Sequence, residues 1–129
     1  MDYAVLFSDH ILAEIFPATR ADDFFEALFG DAEEGAFDII LKFSGFNAVA
    51  GKLHFELQLV ERPGKCLACN LTYGLPEVFA RHPIIDIKGV VKEIGHLLDG
   101  AATCGDWQLG DTRTVTNNMH VVPLTISLQ

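Results

Sequence analysis

The stretch Leu53–Leu59, LHFELQL, alternates without a break, with Leu53, Phe55, Leu57 and Leu59 on one side and His54, Glu56 and Gln58 on the other. Successive side chains of an extended strand point to opposite faces, so a period of two demands a strand with one buried and one wet face. A slip of one residue would turn all the apolar side chains to water, so the register is strongly specified. Phe37–Phe43 repeats the pattern, with Phe37, Ile39, Leu41 and Phe43 in phase against Asp38, Ile40 and Lys42. A chain with two such strands has to build a sheet and cover one of its faces.

Helices supply that cover. Ile87, Val90, Val91, Ile94, Leu97 and Leu98 recur at helical spacing, Asp86 stands where an N-cap belongs, and Gly100 marks the stop. Lys88, Lys92, Glu93 and His96 lie around the rest of this helix, and Gly89 and Gly95 weaken it locally or let a neighbour approach closely. Ser8 caps an earlier helix through Ile11, Leu12, Ile15 and Phe16, which Pro17 ends. Thr19 and Asp22 form a capping-box-like pair for a helix carrying Phe24, Phe25, Leu28 and Phe29, with Gly30 as its C′ glycine. Pro76 suits the first position of a short helix that runs to Arg81 and is closed by Pro83. Residues 1–7 are apolar without a pattern.

The remaining segments are β in character. Pro63-Gly64 supplies a turn, after which Leu67, Cys69, Leu71 and Tyr73 share one face of a return strand and Cys66, Ala68, Asn70 and Thr72 the other. The segment SGFNAVAGK reads as a loose connection. Trp107 and Leu109, then Thr112–Thr116, then Met119–Leu128 after an Asn117-Asn118 turn, complete the set, and Pro123 implies an edge position for part of the last strand. The expected order is ααβββααβββ. This is an α+β fold, a single domain over residues 1–129, with an antiparallel β-sheet of about five to six strands and helices packed mainly on one face.

Charge narrows the function. Nine Lys and Arg face eighteen Asp and Glu, a formal net charge of −9, and the basic residues form no cluster of the kind a phosphate backbone requires. Nucleic-acid binding and docking on an anionic membrane are therefore not expected. The N-terminus has no basic start followed by an apolar run, and no run approaches ~18 apolar residues, so a cytoplasmic protein is expected. The acidic residues Asp22, Asp23, Glu26, Asp31, Glu33 and Glu34 read as a solvated helix edge and loop.

Two groups of residues invite a chemical reading. Cys66 and Cys69 have the spacing of a zinc knuckle or a redox pair, and Cys104 with His120 would complete a four-ligand zinc set. Strand parity opposes this, because residues three apart on a strand point to opposite faces. Structural thiols with no cofactor are therefore expected, with zinc as the alternative. The second group is aromatic. Ten Phe are many for 129 residues, and such a surplus has two common homes, a ligand cavity or a dimer interface. Phe25, Phe29, Phe43, Phe55 and Phe79 are the candidate lining of a cavity between sheet and helices, set against the plainer reading of an ordinary Phe-rich core. No phosphate loop, GxSxG or HExxH is present. The expectation is a non-enzymatic domain that binds a protein partner or a small apolar ligand, with a homodimer as one assembly.

The run LTYGLPEVFARHPIIDIKGVVKEI, together with FFEALFGDAEEGAFDI and KLHFELQL before it, resembles a family of short uncharacterised bacterial proteins, some of which carry a homeobox label. The resemblance covers nearly the whole chain and implies no activity and no site residues. The label would imply a basic recognition helix, which this acidic chain lacks.

Overall fold

The computed structural model describes residues 2–30, 35, 37–64 and 75–129, without the side chains of Leu28 and Phe29. Its elements are α1 (Tyr3–Leu6), α2 (Asp9–Ile15), α3 (Thr19–Phe29), β1 (Phe37–Asn47), β2 (Lys52–Glu61), α4 (Leu75–Arg81), α5 (Ile87–Leu98), β3 (Cys104–Leu109), β4 (Arg113–Thr116) and β5 (Met119–Leu128). The five strands form one antiparallel sheet in the order β1-β2-β5-β3, with β4 also on β5. The fold is α+β.

The alternation of β2 is realised as expected: Leu53, Phe55, Leu57 and Leu59 are buried while the residues between them are half-exposed. They meet Ile39 and Leu41 of β1, Val122, Leu124 and Ile126 of β5, and the buried faces of the helices in one cluster. The neighbours of β2 differ from the expected hairpin. β1 pairs along one edge of β2 from Phe37↔Glu61 to Asn47↔Lys52, and β5 along the other from Lys52↔Ser127 to Val60↔Met119. Both hydrogen-bonding edges of β2 are thus engaged. The expected return strand Leu67–Tyr73 lies outside the described residues.

The segment read as a loose connection is strand for half its length. β1 continues to Asn47 through a bulge between Phe43 and Gly45, and the chain turns over residues 48–51. Asn47 Oδ1 accepts from the Ala50 N–H at 3.0 Å, and Gly51 takes φ +65°. A bulge absorbs one residue and restores the pairing, which simple alternation does not reveal.

β5 is a central strand, not an edge. β2 covers one side of it, while β3 and β4 share the other, β3 opposite Leu124–Leu128 and β4 opposite Met119–Val121. Pro123 sits at the junction, where β3 has ended and β4 has not begun. Its carbonyl accepts from the Gly110 N–H at 2.8 Å. The N–H and C=O of a strand residue point the same way, so the missing N–H of Pro123 falls where the ladder is already interrupted.

The helix ends are specific. Asp2 caps α1, accepting from Ala4 and Val5, and Ser8 caps α2 by accepting from the Ile11 N–H. α3 begins at Thr19 behind Ala18 with no side-chain cap, so Thr19 is not the N-cap, and Gly30 ends it at φ +80°. Arg62, just past β2, ties three elements together: Nη2 donates to Asp22 Oδ1 of α3 at 2.7 Å and Nε to Asp38 Oδ1 of β1 at 3.0 Å. Its guanidinium also stands 5.5 Å from the Phe25 ring centroid. Arg20 donates to the carbonyls of Ile15 and Ile85, both at 3.2 Å, and locks α2 to the loop before α5. Among the described residues no helix is long and apolar enough to cross a membrane.

Candidate functional site

Of the aromatic residues named as a cavity lining, four are packed in the interior. Phe25, Phe55 and Phe79 are buried, and Phe43 is half-buried against the same cluster. Their rings contact other rings: Phe43–Phe55 at 5.4 Å between centroids, Phe7–Phe55 at 5.1 Å, Phe25–Phe37 at 4.9 Å and Phe24–Phe79 at 5.6 Å, mostly edge to face. These are the spacings of packed aromatic pairs. The side chain of Phe29 lies outside the described residues.

The proposed zinc ligands are placed as follows. Cys66 and Cys69 lie outside the described residues. Cys104 is at the start of β3 opposite Leu128, whereas His120 lies near the start of β5 opposite Leu59 and Thr114. Eight residues of extended strand separate positions 120 and 128, about 26 Å at the rise of a β-strand. Cys104 and His120 are therefore not brought together. Among the described residues, no group of three or more His, Cys, Asp and Glu is arranged to hold a metal ion.

Open space lies at the edge of the sheet, between α5 and β3. Asp86 starts α5 in the left-handed region, φ 49°, and its Oδ1 accepts from the Gly89 N–H at 3.1 Å. Asp tolerates that conformation because its short polar side chain bonds locally. A Cβ on Gly89 would collide with the Asp86 carboxylate in its capping position, so a larger residue here displaces the cap. Ile87, Val90, Val91, Ile94 and Leu98 are buried against the core. Asp99 at φ 48° and Gly100 at φ 81° then reverse the chain, and the Ala101 N–H reaches the Leu98 carbonyl at 2.9 Å. The reversal delivers β3 alongside the flank of α5 that does not face the core.

That flank is thin. A Cβ on Gly95 would stand at ordinary contact distance, 3.7 Å, from Cys104 Sγ. β3 is bulged between Cys104 and Trp107, and Trp107 pairs with Ile126 on the helix side of the sheet. The result is a groove of about 690 Å³ with a mainly apolar lining. Its floor is Val91, Gly95, Ala102, Cys104 and Trp107, and its α5 rim carries Lys88, Lys92 and His96. Burial pushes the Cys104 thiol up from its usual value of 9.0, so this sulfur is a neutral apolar part of the floor at physiological pH. The volume falls within the range of small-molecule pockets, about 300–1,000 Å³. A second cleft of about 430 Å³ between α2 and α5 has Glu14, Arg20, Glu93 and His96 on its walls, and its mixed charges give it no apolar floor of comparable extent.

The amphipathic pattern located α5 but not the groove. Its signals were the glycines at 89 and 95 and the Lys88–Lys92 spacing, and they acquire meaning only once β3 is known to run beside that flank. No family model, curated protein or solved structure matches the chain.

Proposed function

We propose that this chain is a non-enzymatic binding domain whose ligand site is the groove between α5 and β3. One contrast carries the proposal: the aromatic interior is filled by its own side chains, while about 690 Å³ stand open beside an apolar floor at the sheet edge. Apolar surface left in a concavity gains the most when a ligand removes it from water. The ligand class is an apolar small molecule that lies along Val91, Ala102, Cys104 and Trp107.

Trp107 is the one Trp of the chain, so the site carries its own reporter. Titration with dodecanol should change the Trp107 emission saturably. Gly95→Leu, which extends a side chain into the groove, should abolish the response, whereas Gly95→Ala should retain it. Circular dichroism and thermal unfolding establish that both variants are folded. A saturable response that persists in folded Gly95→Leu would place the site elsewhere.

A further inference from the structure

The walls of the groove differ in charge. The floor carries no formal charge, whereas Lys88, Lys92 and His96 follow one another at four-residue spacing along the α5 rim. Residues four apart on a helix lie one above the other, so the three stand in a row about 12 Å long. The chain has nine Lys and Arg against eighteen acidic residues, yet two of the nine meet here. Asp86 is the acidic residue on the lining, and its carboxylate is folded back onto the Gly89 N–H. The lining thus carries two Lys against one Asp, the reverse of the chain's overall balance, although Glu93, Asp99 and Asp106 stand next to it in sequence.

We infer that the occupant is an amphiphilic anion, a single apolar chain ending in a carboxylate, taken up as a monomer from solution. The inference rests on the groove being the binding site. The apolar chain lies on Val91, Gly95, Ala102 and Trp107, and the carboxylate stands at the rim between the ammonium groups of Lys88 and Lys92. Those two side chains are exposed, and the long lysine stem lets them reach a headgroup without having to be buried in advance. Their contribution is electrostatic and is screened by salt. Elsewhere the acidic surface repels anions, which directs a carboxylate to this rim.

The test is a set of Trp107 fluorescence titrations at low salt with dodecanoate and dodecyltrimethylammonium below their micelle concentrations and dodecanol below its solubility limit. Dodecanoate should bind about tenfold more tightly than dodecanol, and the ammonium amphiphile most weakly. The double variant Lys88→Gln with Lys92→Gln should bring dodecanoate to within about twofold of dodecanol and leave dodecanol binding unchanged. Equal affinities in the native chain, or a preference that survives the double variant, overturn the anion inference while the apolar groove stands. Failure of dodecanol as well as dodecanoate to move Trp107 removes both. Three further results would overturn the inference by naming another occupant. One is sedimentation with phosphatidylglycerol vesicles while monomeric dodecanoate is silent. Another is binding of an acidic peptide in place of dodecanoate. The third is a dimer that the double variant dissociates.

Discussion

Two regions of this molecule use apolar side chains in opposite ways. Between helices and sheet, Phe7, Phe43 and Phe55 stack on one side and Phe24, Phe25, Phe37 and Phe79 on the other, each ring closing the space left by the next. Between α5 and β3, the facing positions are Gly95, Ala102 and Gly105, with Trp107 as the one large side chain on the floor. Large residues in the first region exclude any guest. Small residues in the second leave the space beside helix and strand unfilled. Apolar content alone does not mark a binding site. What marks it is apolar surface that the chain does not itself cover.

The largest effect that separates the regions is expected in the interior. Phe55→Ala should destabilise the fold by about 3–5 kcal/mol, the usual cost of a cavity behind a buried Phe, measured by denaturant unfolding. It should not alter ligand affinity in the fraction that remains folded. A loss of only a few tenths of a kcal/mol would mean that the interior is loosely packed and that the contrast with the groove fails.

Arg62→Met comes next. Among the described residues it removes the charge-assisted hydrogen bonds to Asp22 and Asp38, from a side chain that is only 15% exposed. The expected cost is about 2 kcal/mol, again with the groove unaffected.

The two glycines of α5 sharpen the comparison within a single helix. Gly89→Ala drives a methyl group into the Asp86 carboxylate and breaks the cap, a loss of up to about 2 kcal/mol that outweighs the gain of about 0.5–1 kcal/mol in helix propensity, so the net effect should be destabilising. Gly95→Ala meets nothing closer than 3.7 Å and should gain about 0.5–1 kcal/mol from helix propensity. Thermal unfolding of both variants checks the opposite signs. Equal effects would mean that the space beside Gly95 is not open.

The smallest effect is a pH dependence. The folded pKa of Cys104 is raised by burial, so above the unfolded value the native state holds a proton that the unfolded chain has released. Stability from this group is therefore intact below the usual thiol range and lost as pH rises from there through the raised folded value. Cys104→Ala should flatten that loss above about pH 9 in unfolding titrations. Peptide mapping after brief alkylation at neutral pH should find Cys104 slow to react.

Local signals made several elements legible. Asp86 and Gly100 bracket α5 as the pattern predicts, Ser8 and Gly30 are a cap and a stop, and the alternation of Leu53–Leu59 assigned the buried face of β2 correctly. What the sequence concealed depends on pairing between distant residues. α1 has four residues, too few to show a period. Pro123 looks like an edge marker until β3 and β4 are seen to meet opposite it. The ten Phe left a cavity and an ordinary Phe-rich core both open, because composition counts rings and cannot say whether they face one another. The groove was concealed for the same reason, since Gly95 and Cys104 come together only through the turn at Asp99 and Gly100 and the pairing of β3 with β5.

Amide and indole chemical shifts of the folded chain, followed as dodecanoate is added below its micelle concentration, test the central claim most directly. Saturable shifts centred on Gly95, Cys104, Gly105 and the Trp107 indole are expected, with the amides of Phe55 and Phe79 unmoved. Shifts centred on Phe55, Phe79 and their ring neighbours, with Gly95 and Trp107 silent, would contradict that claim.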